Sequence, residues 1–341
     1  MLRLLAFLGV FSFAEVARAD TLVVLNKAEA NASLIDPASG TVRATVATGI
    51  GPHEVVIGPD GRTAVVSNYG DETPGSSLTV FDIGKAEVLR TIDLGALRRP
   101  HGLAWVPGSR IVVVTVEDAQ GIVCVDVDSG RVHKLIATGQ QVSHMVALDP
   151  DGKRAFVANI VSGTVSVLEL RTGKQLATIT TGAGAEGIAM RPDGRELWVG
   201  NREADTVSVI DTTTLEVRET IAAKAFPIRA AMLPDGKRAL VSSAKAATLG
   251  VFDTEAHREL HTIRFAKLPG TDKPESFGNQ FGDSAVPIGI VIDPSGKRAF
   301  VALARADVIA VVDLAKRKVT KTLKAGKAPD GLAYTRVDVA R

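Results

Sequence analysis

The sequence predicts an all-β chain folded as a seven-bladed β-propeller, each blade a four-stranded antiparallel sheet. Three observations predict it. Pro-x-Gly or Pro-Gly turns begin at Pro59, Pro107, Pro150, Pro192, Pro234 and Pro294, at spacings of 48, 43, 42, 42 and 60 residues. Four β-rich runs fill each period, and a period in the low forties built this way is the mark of propeller blades. The composition agrees: 45% of residues are apolar but only 4% aromatic, which suits short strands and tight turns better than helical bundles.

Taken in order, the chain opens with "MLRLLAFLGVFSFAEVARAD". A basic Arg3, an apolar stretch from Leu4 to Phe13 and Ala17-Arg18-Ala19 form a secretory signal over residues 1–19, with cleavage near Asp20. The stretch is too short to serve as an anchor, and no later apolar span is long enough to cross a membrane. The expectation is an exported protein, periplasmic or secreted, with residues 20–341 as one propeller domain.

The unit from Gly184 shows the blade pattern. "GAEGIAM" is an inner strand, "RPDG" a turn, "RELWVGN" the second strand, "TVSVID" the third and "VRETIAA" the outermost. Pro and Gly at the second and fourth turn positions favour a type I turn. Inner strands begin seven times, at Pro52, Pro100, Ser143, Ala185, Pro227, Pro287 and Pro329. The three outer strands also recur seven times, but the first set, from Thr21 to Thr48, precedes any inner strand. The last inner strand, "APDGLAY", has no set after it. The C-terminal strand therefore pairs with the N-terminal three, closing the ring and removing exposed edges.

Charge and cysteine usage narrow the function classes. The net charge is +2, and +1 once Arg3, Arg18 and Glu15 are removed with the signal, so no basic stripe points to nucleic acid. The single Cys124 forms no internal disulfide, and no C-x-x-C-H motif is present for covalent haem.

"KRAFVANIVSGTVSVLEL", "RELWVGNREADTVSVIDTTTLEV" and "KRAFVALARADVIAVVDL" resemble the YVTN β-propeller repeat family, among them its YncE-like exported members. The likeness covers the mature chain. It implies the propeller fold but not an activity, because lactonases, a haem d1 domain, nitrous oxide reductase and surface-layer proteins share the shape.

Chain direction places the starts of the inner strands at the top of the central channel. Aligned around the ring, those starts present His53, His101, His144, Glu186, Ile228, Ile288 and Asp330, with Asp330 closing beside His53. A contiguous polar arc thus faces an apolar one. Three imidazoles with Glu186 and Asp330 are a candidate ligand set for a divalent ion such as Zn²⁺, Cu²⁺ or Mn²⁺. The same arc also reads as an organic-ligand pocket, or as plain channel lining.

The connection 266–286 is about twenty residues longer than its counterparts and carries Phe277 and Phe281; it reads as a lid over the apolar side. The long loop 68–77 contributes Asn68 and Tyr69, while Arg202, Arg229 and Arg305 could meet an anion. Asn26, Glu117, Asn159 and Asn201 also fall on this face, and His133, His257 and His261 read as surface residues away from it. The leading expectation is an exported binding module for a small molecule, metal or partner protein. The alternatives are a metal-assisted hydrolase or lyase, lactonase-like by resemblance, with Glu186 as general base, and an interaction scaffold without chemistry.

Overall fold

The computed structural model describes residues 20–265 and 279–339; the leader 1–19, Phe277 and most of the long connection lie outside them. Seven four-stranded antiparallel sheets form the ring, and in six of them the strands run from the channel outward in the order the chain supplies them. Blade 1 joins the inner strand Pro329–Thr335 to Thr21–Asn26, Asn31–Ile35 and Val42–Ala47, with Val23 opposite Ala333, so closure occurs as the sequence predicts. The inner strands of blades 2 to 7 are Pro52–Ile57, Pro100–Trp105, Ser143–Leu148, Ala185–Met190, Pro227–Met232 and Pro287–Ile292. Among the described residues no helix is long and apolar enough to cross a membrane.

The core is a set of layers between blades. Phe156 and Val165 of blade 4 pack with Ile188 and Leu197 of blade 5, and Leu240 and Leu249 of blade 6 with Ala299 and Val312 of blade 7. Second and third strands are therefore buried on both faces. Outer strands keep one apolar contact: in Glu216–Ala222 only Ile221 is buried. Burial at this density, at roughly 25 cal/mol per Å² of apolar surface, holds the ring together.

Two backbone devices recur at the top of the channel. The residue before each inner strand (Gly51, Arg99, Val142, Gly184, Phe226, Val286 and Ala328) has positive φ, between 51° and 76°. For branched Val142 and Val286 this is a strained conformation. The pairing of each inner strand with its neighbour then slips after its first residue. Two residues leave the ladder between Pro52 and Val55 and between Pro100 and Leu103, but in blades 4 and 6 only His144 and Ile228 do, with Met145 and Arg229 still paired. Such bulges re-aim side chains. Here they leave the second residue of every inner strand out of the ladder and free to face the channel, and the third as well except in blades 4 and 6.

Glycine at the third position lets the inner strands meet backbone to backbone. A Cβ on Gly289 would lie 2.0 Å from the Asp330 carbonyl oxygen, and one on Gly331 2.4 Å from that of His53. Hydroxyls on the second strands hold the slipped segments. Thr115 Oγ1 accepts from the Gly102 amide at 2.8 Å and donates to the His144 carbonyl at 2.6 Å, and Ser67 Oγ accepts from the Glu54 amide at 3.1 Å.

The segment 68–77 is not a loop, contrary to the sequence reading. Strands run over Thr63–Gly70 and Pro74–Asp82, with Gly70 opposite Pro74, leaving only 71–73 as a turn. Gly70 (φ 89°) turns the strand, and at Gly75 any side chain would strike the Asn68 carbonyl at 2.1 Å. The extended hairpin is what carries Tyr69 to the channel mouth.

Candidate functional site

A cavity of about 340 Å³ opens at the top of the channel. One wall is polar, formed by His53, His101, His144, Glu186 and Asp330. The other is apolar, formed by Phe226, Ile228, Phe281, Val286 and Ile288. Lys27, Tyr69, Arg202, Glu203, Arg229 and Gln280 complete the lining. The polar and apolar arcs of the aligned strand starts thus meet around one space.

The three imidazoles form a leaning stack. His101 lies 3.6 Å from His144 and 4.7 Å from His53, centroid to centroid, with ring planes tilted 31° and 36°. Tyr69 stands edge-on to both His53, at 4.6 Å, and His101, at 5.5 Å. Its hydroxyl donates to Glu117 Oε2 at 2.7 Å, and the Arg99 guanidinium covers its ring at 4.7 Å.

Carboxylates flank the stack. His53 Nδ1 and Asp330 Oδ2 hydrogen-bond at 2.8 Å, and His144 Nδ1 hydrogen-bonds Glu117 Oε1. His144 Nε2 also lies 3.3 Å from Glu186 Oε1. Burial alone would pull the His144 pKa down, but Glu117 and Glu186 outweigh it and raise it to about 8. At neutral pH this ring is therefore an imidazolium. Burial holds His101 well below the ordinary histidine value, reinforced by the charge of His144, and burial lowers His53 despite Asp330. Burial works against ionisation of Glu186, yet His144, Arg229 and Arg202 hold it down at about 2.

Arg229 lines the same cavity and is only 6% exposed. It donates from Nη1 to Glu186 Oε1 at 3.0 Å and from Nη2 to Glu54 Oε1 at 2.8 Å. Glu186 Oε2 accepts from Arg202 Nη1 at 2.5 Å, and the Arg202 guanidinium also covers the Phe226 ring at 5.1 Å. Phe281 meets Phe226 edge-on at 5.4 Å.

This arrangement does not suit a metal ion. The imidazoles present faces to one another, two Nδ1 atoms are engaged by carboxylates, and Glu186 is held by two guanidiniums. Among the described residues no group of three or more His, Cys, Asp or Glu side chains is placed to hold an ion. Nor does Glu186 suit a general base, since a carboxylate this acidic takes up protons poorly at neutral pH. Four buried atoms on lining residues, however, have no hydrogen-bond partner. His144 Nε2 and Arg202 Nε still lie within 4 Å of the carboxylates of Glu186 and Glu203, which leaves His101 Nδ1 and Asp330 Oδ1 without a partner of either kind. Buried polar atoms are nearly always paired, so both point to a missing partner.

Of the other residues singled out by sequence, Asn68 is buried outside the lining. Its Nδ2 donates to Ser77 Oγ and Thr79 Oγ1 at 3.0 Å and its Oδ1 accepts from the Gly49 amide at 3.0 Å. Asn26, Asn159 and Asn201 bracket their own hairpins in the same way. Arg305 Nη1 donates to the Gly282 carbonyl. His257 is no bare surface residue: it is half-buried, 3.0 Å from Glu196 Oε1. Sequence reading missed Glu54 and Lys27. Glu54 carried a signal, because the third inner-strand residues run Glu54, Gly102, Met145, Gly187, Arg229, Gly289 and Gly331, with one acid and one base. Lys27 follows an outer strand, where the alignment of inner strands does not look.

Comparison with known proteins places this site in context. A family model described as YNCE-like beta-propeller matches residues 5–129 and 109–272. No curated protein matches the sequence. The chain is similar in fold to hydrazine synthase of Kuenenia stuttgartiensis (TM-score 0.69, 18% identity, 82% of this chain and 88% of the other). It is similar also to a functionally unknown protein of Desulfotomaculum acetoxidans (TM-score 0.76, 13% identity, 92% and 98%). At these identities the likeness extends to the fold alone.

Proposed function

The chain belongs to the YNCE-like β-propeller family, and from that premise we propose that it is an exported binding protein whose small organic ligand sits in the cavity at the top of the channel. The observation that carries this reading is the pair of buried, unpartnered atoms, His101 Nδ1 and Asp330 Oδ1, on a wall that faces an apolar one. An unpaired buried polar atom costs about 1–3 kcal/mol, and a ligand that supplies the partner recovers it. The volume is at the small end of ligand pockets, and an apolar wall with a few fixed polar groups is their usual construction. Export rests on the sequence of residues 1–19.

A thermal-shift screen of small polar and amphipathic molecules tests the reading, with Ile288→Trp as the variant that fills the cavity. Ligands should raise the melting temperature of the native chain and not of the variant. An empty screen, or shifts that survive Ile288→Trp, would overturn it. Stoichiometric Zn²⁺, Cu²⁺ or Mn²⁺ binding that disappears when His53, His101 and His144 become alanine would put a metal there instead.

A further inference from the structure

The class of ligand follows from which charges around the cavity are already matched, and this inference rests on the binding reading above. Four cations line the space, and the His144 imidazolium is held by Glu117 and Glu186. Arg202 and Arg229 are engaged by Glu186 and Glu54. Lys27, just after the strand Thr21–Asn26, is half-buried and has no carboxylate within 4 Å among the described residues. Burial pulls its ammonium below the ordinary lysine value, and the opposing charges of Asp330 and Glu117 recover only part of that. An ammonium left half-dry with no carboxylate in contact is a position for an anion.

Asp330 supplies the second requirement. It is 4% exposed, its Oδ2 is held by His53, and its buried Oδ1 has no donor. An ionised carboxylate only accepts, so Oδ1 calls for an O–H or N–H group. The third requirement is the apolar wall of Ile228, Ile288 and Phe226, which rejects a bare inorganic anion because such an ion would desolvate that surface without covering it.

We propose that the cavity takes a small apolar carboxylate bearing a hydroxyl or ammonium group beside the acid. The acid pairs with Lys27, the donor reaches Asp330 Oδ1, and the apolar body lies against Ile228 and Ile288. The ligand is thus held at three points of unlike chemistry.

Calorimetry on the whole exported chain tests this with four probes: 3-phenyllactate, 3-phenylpropanoate lacking the hydroxyl, 3-phenyl-1,2-propanediol lacking the acid, and inorganic phosphate. Phenyllactate should bind about tenfold or more tightly than either organic analogue, since each lacks one charge-assisted contact, and phosphate should not bind measurably. Lys27→Gln should erase the advantage of phenyllactate over the diol while keeping its advantage over phenylpropanoate. Asp330→Asn should do the reverse.

A diol that binds as tightly as the acid, or an acid preference that survives Lys27→Gln, would overturn the ligand class and leave the binding reading standing. So would phosphate binding as tightly as phenyllactate. Failure of all four probes would also overturn it, whereas the broader screen with Ile288→Trp decides whether the cavity binds anything.

Discussion

Arg229 and Glu54 meet across the central channel, guanidinium to carboxylate at 2.8 Å, although their inner strands belong to blades 6 and 2 of the seven. No other pair of the third-position residues is charged. The glycines at that level bring the strands close and leave the bore to these two long side chains. The contact bridges the channel next to the cavity, whose lining includes Arg229.

Because Arg229 is buried between Glu54 and Glu186, its removal strands Glu54 and takes one of its two guanidiniums from Glu186. Arg229→Met is expected to cost roughly 3–5 kcal/mol in urea unfolding, the penalty for leaving buried charge unpaired. Glu54→Gln should cost less, since Arg229 keeps Glu186. In Glu54→Gln/Arg229→Met the loss should fall well short of the sum of the single losses. Strict additivity would mean that the two groups do not interact in solution.

The fold was legible because propeller blades write their turns and inner strands into a period, and all seven inner strands begin where the sequence places them. The polar arc was legible for the same reason: His53, His101, His144, Glu186 and Asp330 share one register. What the register could not convey is how those side chains satisfy one another. Whether an imidazole donates its lone pair to an ion or stacks on its neighbour depends on a tilt of some tens of degrees, and Glu117, which decides the charge of His144, comes from a hairpin end rather than an inner strand. Asn68 was readable as a hairpin bracket or as a ligand contact; only its hydrogen bonds to Ser77, Thr79 and Gly49 distinguish these.

The stack predicts a stability maximum close to pH 6.5. The His144 pKa is raised from 6.5 to about 8 in the folded chain, so its contribution is complete below pH 6.5 and is lost as pH rises through 8. A shift of this size corresponds to about 2 kcal/mol. His101 and His53 move the other way: the unfolded chain takes up protons below pH 6.5 before the folded one does, so stability falls again on the acid side. Glu186, held near 2, keeps its full contribution above 4.5 and loses it only in stronger acid. Urea midpoints measured from pH 5 to 9 should show both limbs, and His144→Gln should remove the alkaline limb and soften the acid one, because the His144 charge helps to lower His101 and His53. A flat profile between pH 6.5 and 8.5 in the native chain would rule out the imidazolium.

The close approach of inner strands predicts an intolerance that burial alone does not. Gly289 has φ in the ordinary range, and alanine there adds a single methyl group, yet its Cβ would lie 2.0 Å from the Asp330 carbonyl oxygen. Neither strand can yield without shifting Asp330 or Ile288, which face the cavity. Gly289→Ala should therefore cost about 1–3 kcal/mol, the usual penalty of overpacking, and weaken ligand binding at the same time. Gly95→Ala is the control: nothing lies within 4 Å of its Cβ, so any loss there reflects its positive φ alone and should leave binding intact. Equal melting temperatures for native and Gly289→Ala protein would show that the strands of blades 7 and 1 stand farther apart than the ring requires.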